Sequence, residues 1–438
     1  MVNSSSWATM RTWFSLLCTP PSILEDIAFM FGTPEVLAPA GNPERLDAAI
    51  RYGANAVYLA GRQYGLRSAA GNFDDEQLAQ AVSTAHAHGV HVYITCNTLP
   101  RDDELDGLPA TMEYWQEIGV DAIIVADLGV LNLAKHHAPQ CAIHMSTQTG
   151  IVNSLTAREL HDMGASRVVL ARELSMDEIA GIRERTPPEL ELEAFVHGSM
   201  CMAVSGRCMM SAAMTNRDAN RGNCTQPCRW SYTIVEEKRP GQYMSVEEDA
   251  SGTYIFNAED LNMVEHLSAL TRAGVTSFKI EGRAKSPFYV AVITNAYRVA
   301  VDGLVASGFD PDYRPAPWVI EELNKVSHRP YGTGFFFGPP SQSTNFGGYV
   351  RDYSLAAVVE GWADGRLYLT QRNRFLAGQA LEVLLPGREP VCLMAEDLRD
   401  GDGEPIDAAR HPMMPASIRS GTSLPPGSFV RMEMAKSR

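Results

Sequence analysis

The chain has 438 residues, of which 45% are hydrophobic, 20% charged and 8% aromatic, as in a globular protein with one large and one smaller domain. This composition excludes collagen-like, coiled-coil and disordered chains, and without a run of about 18 apolar residues it predicts no membrane span. The 37 Lys and Arg residues against 52 Asp and Glu residues give a net charge of −15, which excludes a uniformly basic nucleic-acid-binding surface but allows a local basic patch.

The first 33 residues show no sustained hydrophobic period. They make a poor secretory signal, because the apolar run is very short and Arg11 is the lone basic residue before it. We therefore expect residues 1–33 to be an extension outside the fold, with Met30 as a candidate start of the native protein. The small number of cysteines for this length favours a reducing compartment, so we expect a cytoplasmic protein.

From residue 35 onward, short β-branched runs alternate with longer amphipathic stretches. We predict eight strands, at residues 35–40, 56–60, 90–96, 122–126, 142–146, 167–171, 190–196 and 275–280. Helices such as 43–52 and 75–87 separate them. Glycines that tolerate positive φ stand at expected helix ends: Gly53, Gly89, Gly119, Gly164 and Gly274. Eight parallel strands with crossover helices predict an α/β protein with a TIM-like (β/α)8 barrel, and a doubly wound sheet is the alternative.

The longest gap between predicted strands, about residues 197–274, follows the seventh strand. If the fold is a barrel, this long, Cys-rich insertion leaves from the C-terminal face, where βα loops build active sites. We assign residues 34–310 to the barrel, 311–345 to a linker and helix, and 346–438 to a small C-terminal β-barrel domain with short alternating runs. The glycine-aromatic stretch 332–338 is predicted to be a turn, because no strand-then-helix pattern surrounds it.

Four of the eight cysteines lie in the insertion with the spacing C-x6-C-x15-C-x3-C, namely Cys201, Cys208, Cys224 and Cys228. Four thiolates from one folded-back loop can enclose an iron–sulfur cluster or Zn²⁺. The spacing favours an iron–sulfur cluster, zinc is the less favoured metal, and no metal is the remaining alternative. The other four, Cys18, Cys96, Cys141 and Cys392, stand in apolar surroundings and are predicted to lie in the core.

Arginines surround the clustered cysteines at Arg207, Arg217, Arg221 and Arg229. Their guanidinium groups suit phosphate, carboxylate or a thiolate cluster, and a solvated charged loop is the alternative. Polar residues also follow the predicted strands, at Asn97, Asp127, His144, Gln148, Arg172, Glu173, His197, Glu281, Arg283 and Lys285. Some have a structural alternative, such as a helix cap at Asp127 or a core histidine at His144. Arg172 and Arg283 are the strongest candidates, because an anionic substrate would need them.

Several of these stretches resemble the U32 family, long filed as peptidases. The family signature E-x-F-x2-G-[SA]-x-C is matched from Glu193 to Cys201, and its continuation G-x-C-x-x-S is matched from Gly206 to Ser211. Further matches lie at residues 37–41, 53–58, 172–175, 223–230, 279–283 and 327–331. The resemblance covers about residues 34–340. The second cysteine pair and residues 239–260 are most similar to the family members that hydroxylate tRNA.

This resemblance implies oxygen-independent hydroxylation of the wobble uridine of tRNA to 5-hydroxyuridine, with prephenate as co-substrate. It also implies that the four clustered cysteines hold an iron–sulfur cluster, expected to be [4Fe-4S]. Prephenate is a dicarboxylate, so we expect Arg172 and Arg283 to bind it. We expect Arg207, Arg221 and Arg229 to contact tRNA in a salt-sensitive way. His144, His197 and Glu281 are the candidate acid–base or positioning groups.

Two other functions stay open at this point. A U32-type peptidase, a collagenase-like hydrolase, is one, although the sequence contains no H-E-x-x-H or G-x-S-x-G motif. The other is a cluster-carrying accessory protein for another hydroxylation, such as one in quinone biosynthesis, in which the barrel would bind a protein partner.

Overall fold

The computed structural model of the chain describes residues 32–66, 71–200, 210–215, 217, 223–227, 230, 234–235, 243–244, 248–249, 252–253, 259–338 and 349–434. The predicted N-terminal extension therefore lies almost entirely outside the described residues, as do Cys18, Cys201, Cys208, Cys228, Arg207, Arg221 and Arg229.

A closed barrel of eight parallel strands forms the larger part of the structure. The first seven strands are β1 (Glu35–Pro39), β2 (Ala56–Leu59), β3 (His91–Cys96), β4 (Ala122–Val125), β5 (Ala142–Met145), β6 (Arg167–Val169) and β7 (Glu191–Ser199). After the insertion, β13 (Val275–Ile280) pairs in parallel with both β1 and β7 and closes the barrel. The predicted (β/α)8 barrel is confirmed, and each predicted strand overlaps an observed one.

Helices on the outside of the barrel follow its strands. They span Pro43–Arg51, Asp75–Ala87, Asp102–Leu105, Leu108–Glu117, Leu128–His137, Ser154–Asp162, Met176–Glu184, Leu267–Arg272 and Pro287–Ala306. Short polar side chains begin many of them; Asp74, for example, forms a capping box with Gln77. The predicted helix-end glycines all have positive φ, between 70° and 114°.

Strand β7 continues beyond the barrel wall and starts the insertion. Its last residues pair antiparallel with β12 (Asp260–Asn262), which in turn pairs in parallel with β14 (Tyr331–Gly332). Gly198 has φ of 103°, and a Cβ there would lie 2.5 Å from the carbonyl oxygen of Glu281, so this crossing requires glycine. Between residues 210 and 253, the described helices and strands are a short helix, Met210–Thr215, and the two-residue strands β8 (Ile234–Val235), β9 (Tyr243–Met244), β10 (Glu248–Asp249) and β11 (Gly252–Thr253).

The C-terminal part is antiparallel, as its short alternating runs predict. Its strands are β15 (Tyr353–Ala363), β16 (Arg366–Gln371), β17 (Phe375–Leu376), β18 (Ala380–Leu385), β19 (Arg388–Met394), β20 (Arg399–Asp400), β21 (Ala408–Ala409), β22 (Pro415–Arg419) and β23 (Phe429–Glu433). Seven of them form one sheet in the order β19-β18-β23-β15-β16-β22-β20, and β17 pairs with β21. A second apolar core lies within this unit.

Helix Pro287–Ala306 packs against both the barrel and the C-terminal sheet. Asn295 on this helix donates a hydrogen bond to the carbonyl oxygen of Leu385 at 3.3 Å and accepts one from the Gly387 amide at 2.8 Å. The helix is long and apolar enough to cross a membrane, but 72% of its most apolar window is buried inside the protein. Such burial is typical of a core helix. The helix ends at Ala306, within the range 34–310 assigned to the barrel from the sequence.

A cluster of buried charges joins the two parts of the chain. Arg431 on β23 is fully buried, and its guanidinium donates to both carboxylate oxygens of Glu322 at 2.5 and 2.7 Å. Glu322 belongs to the helix Pro317–Leu323, which follows the barrel. Glu382 on β18 accepts a further bond from Arg431 at 2.6 Å and one from Lys325 at 3.0 Å.

The described cysteines outside the cluster differ in their exposure to solvent. Cys96 and Cys141 are buried, as predicted. The prediction for Cys392 is wrong, because this residue lies on β19, an edge strand whose alternate side chains face solvent. An apolar neighbourhood in the sequence does not tell which face of an edge strand a residue occupies.

Candidate functional site

Arg283 lies at the C-terminal mouth of the barrel, just after β13. Its side chain is buried, and it donates to Thr95 Oγ1 at the end of β3 at 3.0 Å and to Asn72 Oδ1 at 2.8 Å. A Cβ on Gly41, which follows β1, would collide with the carbonyl oxygen of Arg283. Close packing with the β1 loop and hydrogen bonds to the β3 end therefore fix this guanidinium at the mouth.

Arg172 lies at the same mouth, after the end of β6. Its Nη1 donates to the carbonyl oxygen of Ser199, the last residue of β7, at 2.9 Å. Its guanidinium carbon lies 3.9 Å from the centre of the Phe195 ring. The structure thus places both predicted anion-binding arginines where the barrel's strands end, on loops that follow different strands.

A network of charged side chains lies below this mouth, inside the barrel, where apolar layers are usual. Arg167 on β6 binds Glu35 at 2.7 Å, Glu191 at 2.7 Å and Glu193 at 3.2 Å. On β13, Lys279 binds Glu193 at 2.6 Å. Sequence patterns alone did not predict this network. The available signal was the charge at Glu193 and Lys279, which alternate with apolar residues in strands that were otherwise predicted to be buried.

Burial and the neighbouring Arg167 charge shift the pKa of Glu35 in opposite directions. Burial raises the pKa of its carboxyl group, but the Arg167 charge and hydrogen bonds from Arg167, Tyr93 and Ser277 outweigh it and lower the pKa below 4.5. The neighbouring carboxylates raise the pKa of Arg167 well above its ordinary value despite its burial. Glu35 and Arg167 therefore form an ionised pair at neutral pH.

His144 on β5 is buried inside the barrel. Its ring meets the edge of Tyr93 with centroids 4.7 Å apart, and among the described residues Nδ1 has no hydrogen-bond partner. Burial, together with the charges of Arg167 and Lys279, lowers the pKa of His144 well below 6.5. It is a neutral imidazole at physiological pH.

His197 and Glu281 are neighbours between the barrel and helix Pro287–Ala306. The Glu281 amide donates to the carbonyl oxygen of His197 at 2.9 Å. The two ring nitrogens of His197 lie 3.4 Å from the hydroxyls of Tyr297 and Tyr331. Burial, with smaller contributions from the charges of His328 and Lys285, lowers the pKa of His197 to about 3. The structure therefore places His197 in an aromatic cluster and His144 separately inside the barrel.

Two other predicted strand-end residues have structural roles. Asp127 caps helix Leu128–His137, since its Oδ1 accepts from the Val130 amide at 3.1 Å. Asn97 Oδ1 accepts from the Leu66 amide at 3.2 Å and holds the loop after β2. The helix cap at Asp127 is the structural alternative that the sequence offered for this residue, and Asn97 holds the loop of a neighbouring strand.

Cys224 is the described member of the cysteine cluster. It is half-buried, forms no disulfide, and its sulfur accepts a hydrogen bond from the Gln226 amide at 3.3 Å. Thr225 is bound to helix Met210–Thr215, because its amide donates to Ser211 Oγ at 3.0 Å. Amide donors to sulfur stabilise thiolate ligands, so this environment fits an iron–sulfur ligand. Arg217 is exposed.

The fold and this site define a TIM-barrel protein with a cysteine-bearing insertion at the mouth and an antiparallel C-terminal unit. The profile of peptidase family U32 matches residues 41–345, and that of the peptidase family U32 C-terminal domain matches residues 351–431. The chain belongs to peptidase family U32.

Three relatives of known name are similar over most of this chain. The tRNA hydroxylation protein P1 of Bacillus subtilis is 36% identical, over 91% of this chain and 94% of its own length. The tRNA hydroxylation protein P of Escherichia coli is 34% identical, over 86% of this chain and 91% of its own. The 23S rRNA 5-hydroxycytidine C2501 synthase of Escherichia coli is 34% identical, over 84% of this chain and 52% of its own.

Proposed function

We propose that this protein is an RNA-modifying enzyme that hydroxylates the wobble uridine of tRNA to 5-hydroxyuridine. The observation that carries the proposal is similarity over most of the chain to relatives named for tRNA hydroxylation. A relative named as an rRNA hydroxycytidine synthase supports the broader chemistry of hydroxylating a pyrimidine in RNA.

The barrel mouth suits a co-substrate with carboxylate groups, for which we propose prephenate. Arg172 and Arg283 present guanidinium groups, which bind carboxylates through paired hydrogen bonds. Both are fixed by contacts to neighbouring strands, so little conformational entropy is lost when an anion binds. A uridine would leave its stack to reach a barrel mouth, as in other enzymes that act on bases.

We further propose that Cys201, Cys208, Cys224 and Cys228 hold an iron–sulfur cluster, which would supply redox chemistry. The half-buried Cys224 thiol with its amide donor supports this assignment. Thiolate ligation fits a reducing compartment, the cytoplasm. We propose that Arg207, Arg221 and Arg229 contact tRNA phosphates, a contact that added salt should weaken.

A peptidase is less well supported. Neither His144 nor His197 pairs with a serine or cysteine side chain in the part of the chain that the structure describes: His197 contacts tyrosine hydroxyls and His144 contacts the Tyr93 ring.

Purified protein, reconstituted with iron and sulfide under argon, tests the proposal. Hydroxylation at C5 removes two electrons from the uridine, so the mixture also contains an artificial electron acceptor. We expect 5-hydroxyuridine in unmodified tRNA after incubation with prephenate, and none when prephenate is omitted. Digestion of casein by the same preparation, with no 5-hydroxyuridine formed, would favour the peptidase. Hydroxylation of 23S rRNA instead of tRNA would keep the chemistry and change the substrate.

A further inference from the structure

We propose that Phe195 is a positioning residue, whose ring holds the Arg172 guanidinium at the barrel mouth ready for a substrate carboxylate. The inference rests on the proposed function, because that function supplies the carboxylate. It adds a determinant of substrate affinity that does not itself touch substrate.

The geometry around Arg172 shows how it is held. The Phe195 ring lies beneath the guanidinium at 3.9 Å, well within the distance of about 6 Å over which a cation is attracted to an aromatic face. The hydrogen bond to the Ser199 carbonyl oxygen engages one of the five N–H donors. Among the residues that the structure describes, no carboxylate pairs with Arg172. The remaining N–H groups of its guanidinium can therefore bind an external anion at the mouth.

A second cation, the ammonium group of Lys279, also lies near the Phe195 ring. The Lys279 ammonium nitrogen lies 5.5 Å from the centre of the Phe195 ring and 4.7 Å from that of Tyr58. Glu193 fixes this ammonium at 2.6 Å, and Glu193 is fully buried. Because both cations are attracted to the electrons of the Phe195 ring, an aliphatic side chain of similar size would leave their repulsion less balanced and Arg172 less ordered.

The consequence is an effect on binding rather than on turnover. When the ring attracts Arg172 less strongly, the guanidinium spends less time in the geometry that binds a carboxylate. The dissociation constant and KM for the carboxylate substrate should then rise, while kcat at saturation changes little.

Fluorination of the ring tests this directly, since each fluorine weakens the ring's attraction for cations with little change in shape. The full-length protein would carry phenylalanine, 4-fluorophenylalanine or 3,4,5-trifluorophenylalanine at position 195. Calorimetry would then give the dissociation constant for prephenate. We expect a graded rise that reaches about fivefold for the trifluoro ring. A matched control carries the same series at Phe375, a fully buried ring of the C-terminal core, and should leave the dissociation constant unchanged.

The outcomes separate the two proposals. Wild-type protein that fails to bind prephenate would overturn the proposed co-substrate and the inference with it. Wild-type protein that binds prephenate, with equal affinity across the Phe195 series, would overturn the inference alone. The variant Phe195→Leu, which abolishes the aromatic face, should weaken binding at least as much as trifluorination, and unchanged binding in this variant would likewise overturn the inference alone.

Discussion

At the scale of single residues, the most unusual feature is the charge enclosed in the barrel. Arg167 offsets Glu193, which is fully buried, and Glu35, whose side chain is 14% exposed. A buried ion destabilises the fold unless it is paired. Removing one partner of a buried pair therefore lowers stability more than replacing both partners with apolar residues. This asymmetry gives two predictions.

Substitution Arg167→Met should lower the free energy of unfolding by about 3–5 kcal/mol, because it leaves Glu35 without a cation and the buried Glu193 with Lys279 alone. Urea denaturation measures the change. The control Arg62→Met removes a guanidinium whose pair with Asp74 lies at the surface, and it should cost about 1 kcal/mol or less. Adding Glu35→Gln to Arg167→Met should recover part of the loss. Equal losses in Arg167→Met and Arg62→Met would show that the network does not stabilise the barrel.

Glu35 should also shape the stability of the protein in acid. Its folded-state pKa lies below the ordinary 4.5, so its ionised form stabilises the fold above about pH 4.5, and this contribution is lost as pH falls through the folded-state pKa. Glu35→Gln should therefore flatten the fall in stability below pH 4.5. Denaturation midpoints measured from pH 3 to 7 test this, and parallel curves for variant and wild type would contradict it.

At the scale of elements, the β7 crossing to the insertion depends on one backbone position. Gly198→Ala should cost about 2 kcal/mol or more, since the residue has positive φ and its new Cβ would press on the Glu281 carbonyl oxygen. Gly308→Ala is the matched control, with φ of 69° and open space around the site, and it measures the backbone cost alone. Urea denaturation of both variants gives the comparison. Similar losses would show that the close approach to Glu281 is not important.

The sequence predicted the strands well and the site less completely, for a physical reason. Strands such as β3 and β13 are short runs rich in β-branched residues that follow a helix-ending glycine, a pattern that local chemistry defines. The pairing of Arg167 with Glu35 joins residues far apart in the chain, and no local pattern encodes it. For the same reason the position of His197, among tyrosines from helix Pro287–Ala306 and β14, was not predictable from its strand-end position.

At the scale of the whole molecule, two units are joined by buried ion pairs. Arg431 of the C-terminal sheet binds Glu322 beside the barrel, and Tyr52 donates to the carbonyl oxygen of Leu384 at 3.2 Å. The chain has a net charge of −15, so an RNA substrate would have to approach through a local cluster of cations. In the proposed function, Arg207, Arg221 and Arg229 supply these cations.

The most direct test of the proposed function is mass spectrometry of nucleosides from the total tRNA of four strains. They are the parent, a deletion strain, and the deletion strain carrying either Cys201→Ala or the control Cys392→Ala, which alters an exposed cysteine of the C-terminal sheet. We expect 5-hydroxyuridine and its derivatives to disappear in the deletion, to return with Cys392→Ala, and to stay absent with Cys201→Ala. Unchanged nucleosides in the deletion strain, or full restoration by Cys201→Ala, would contradict the proposed function.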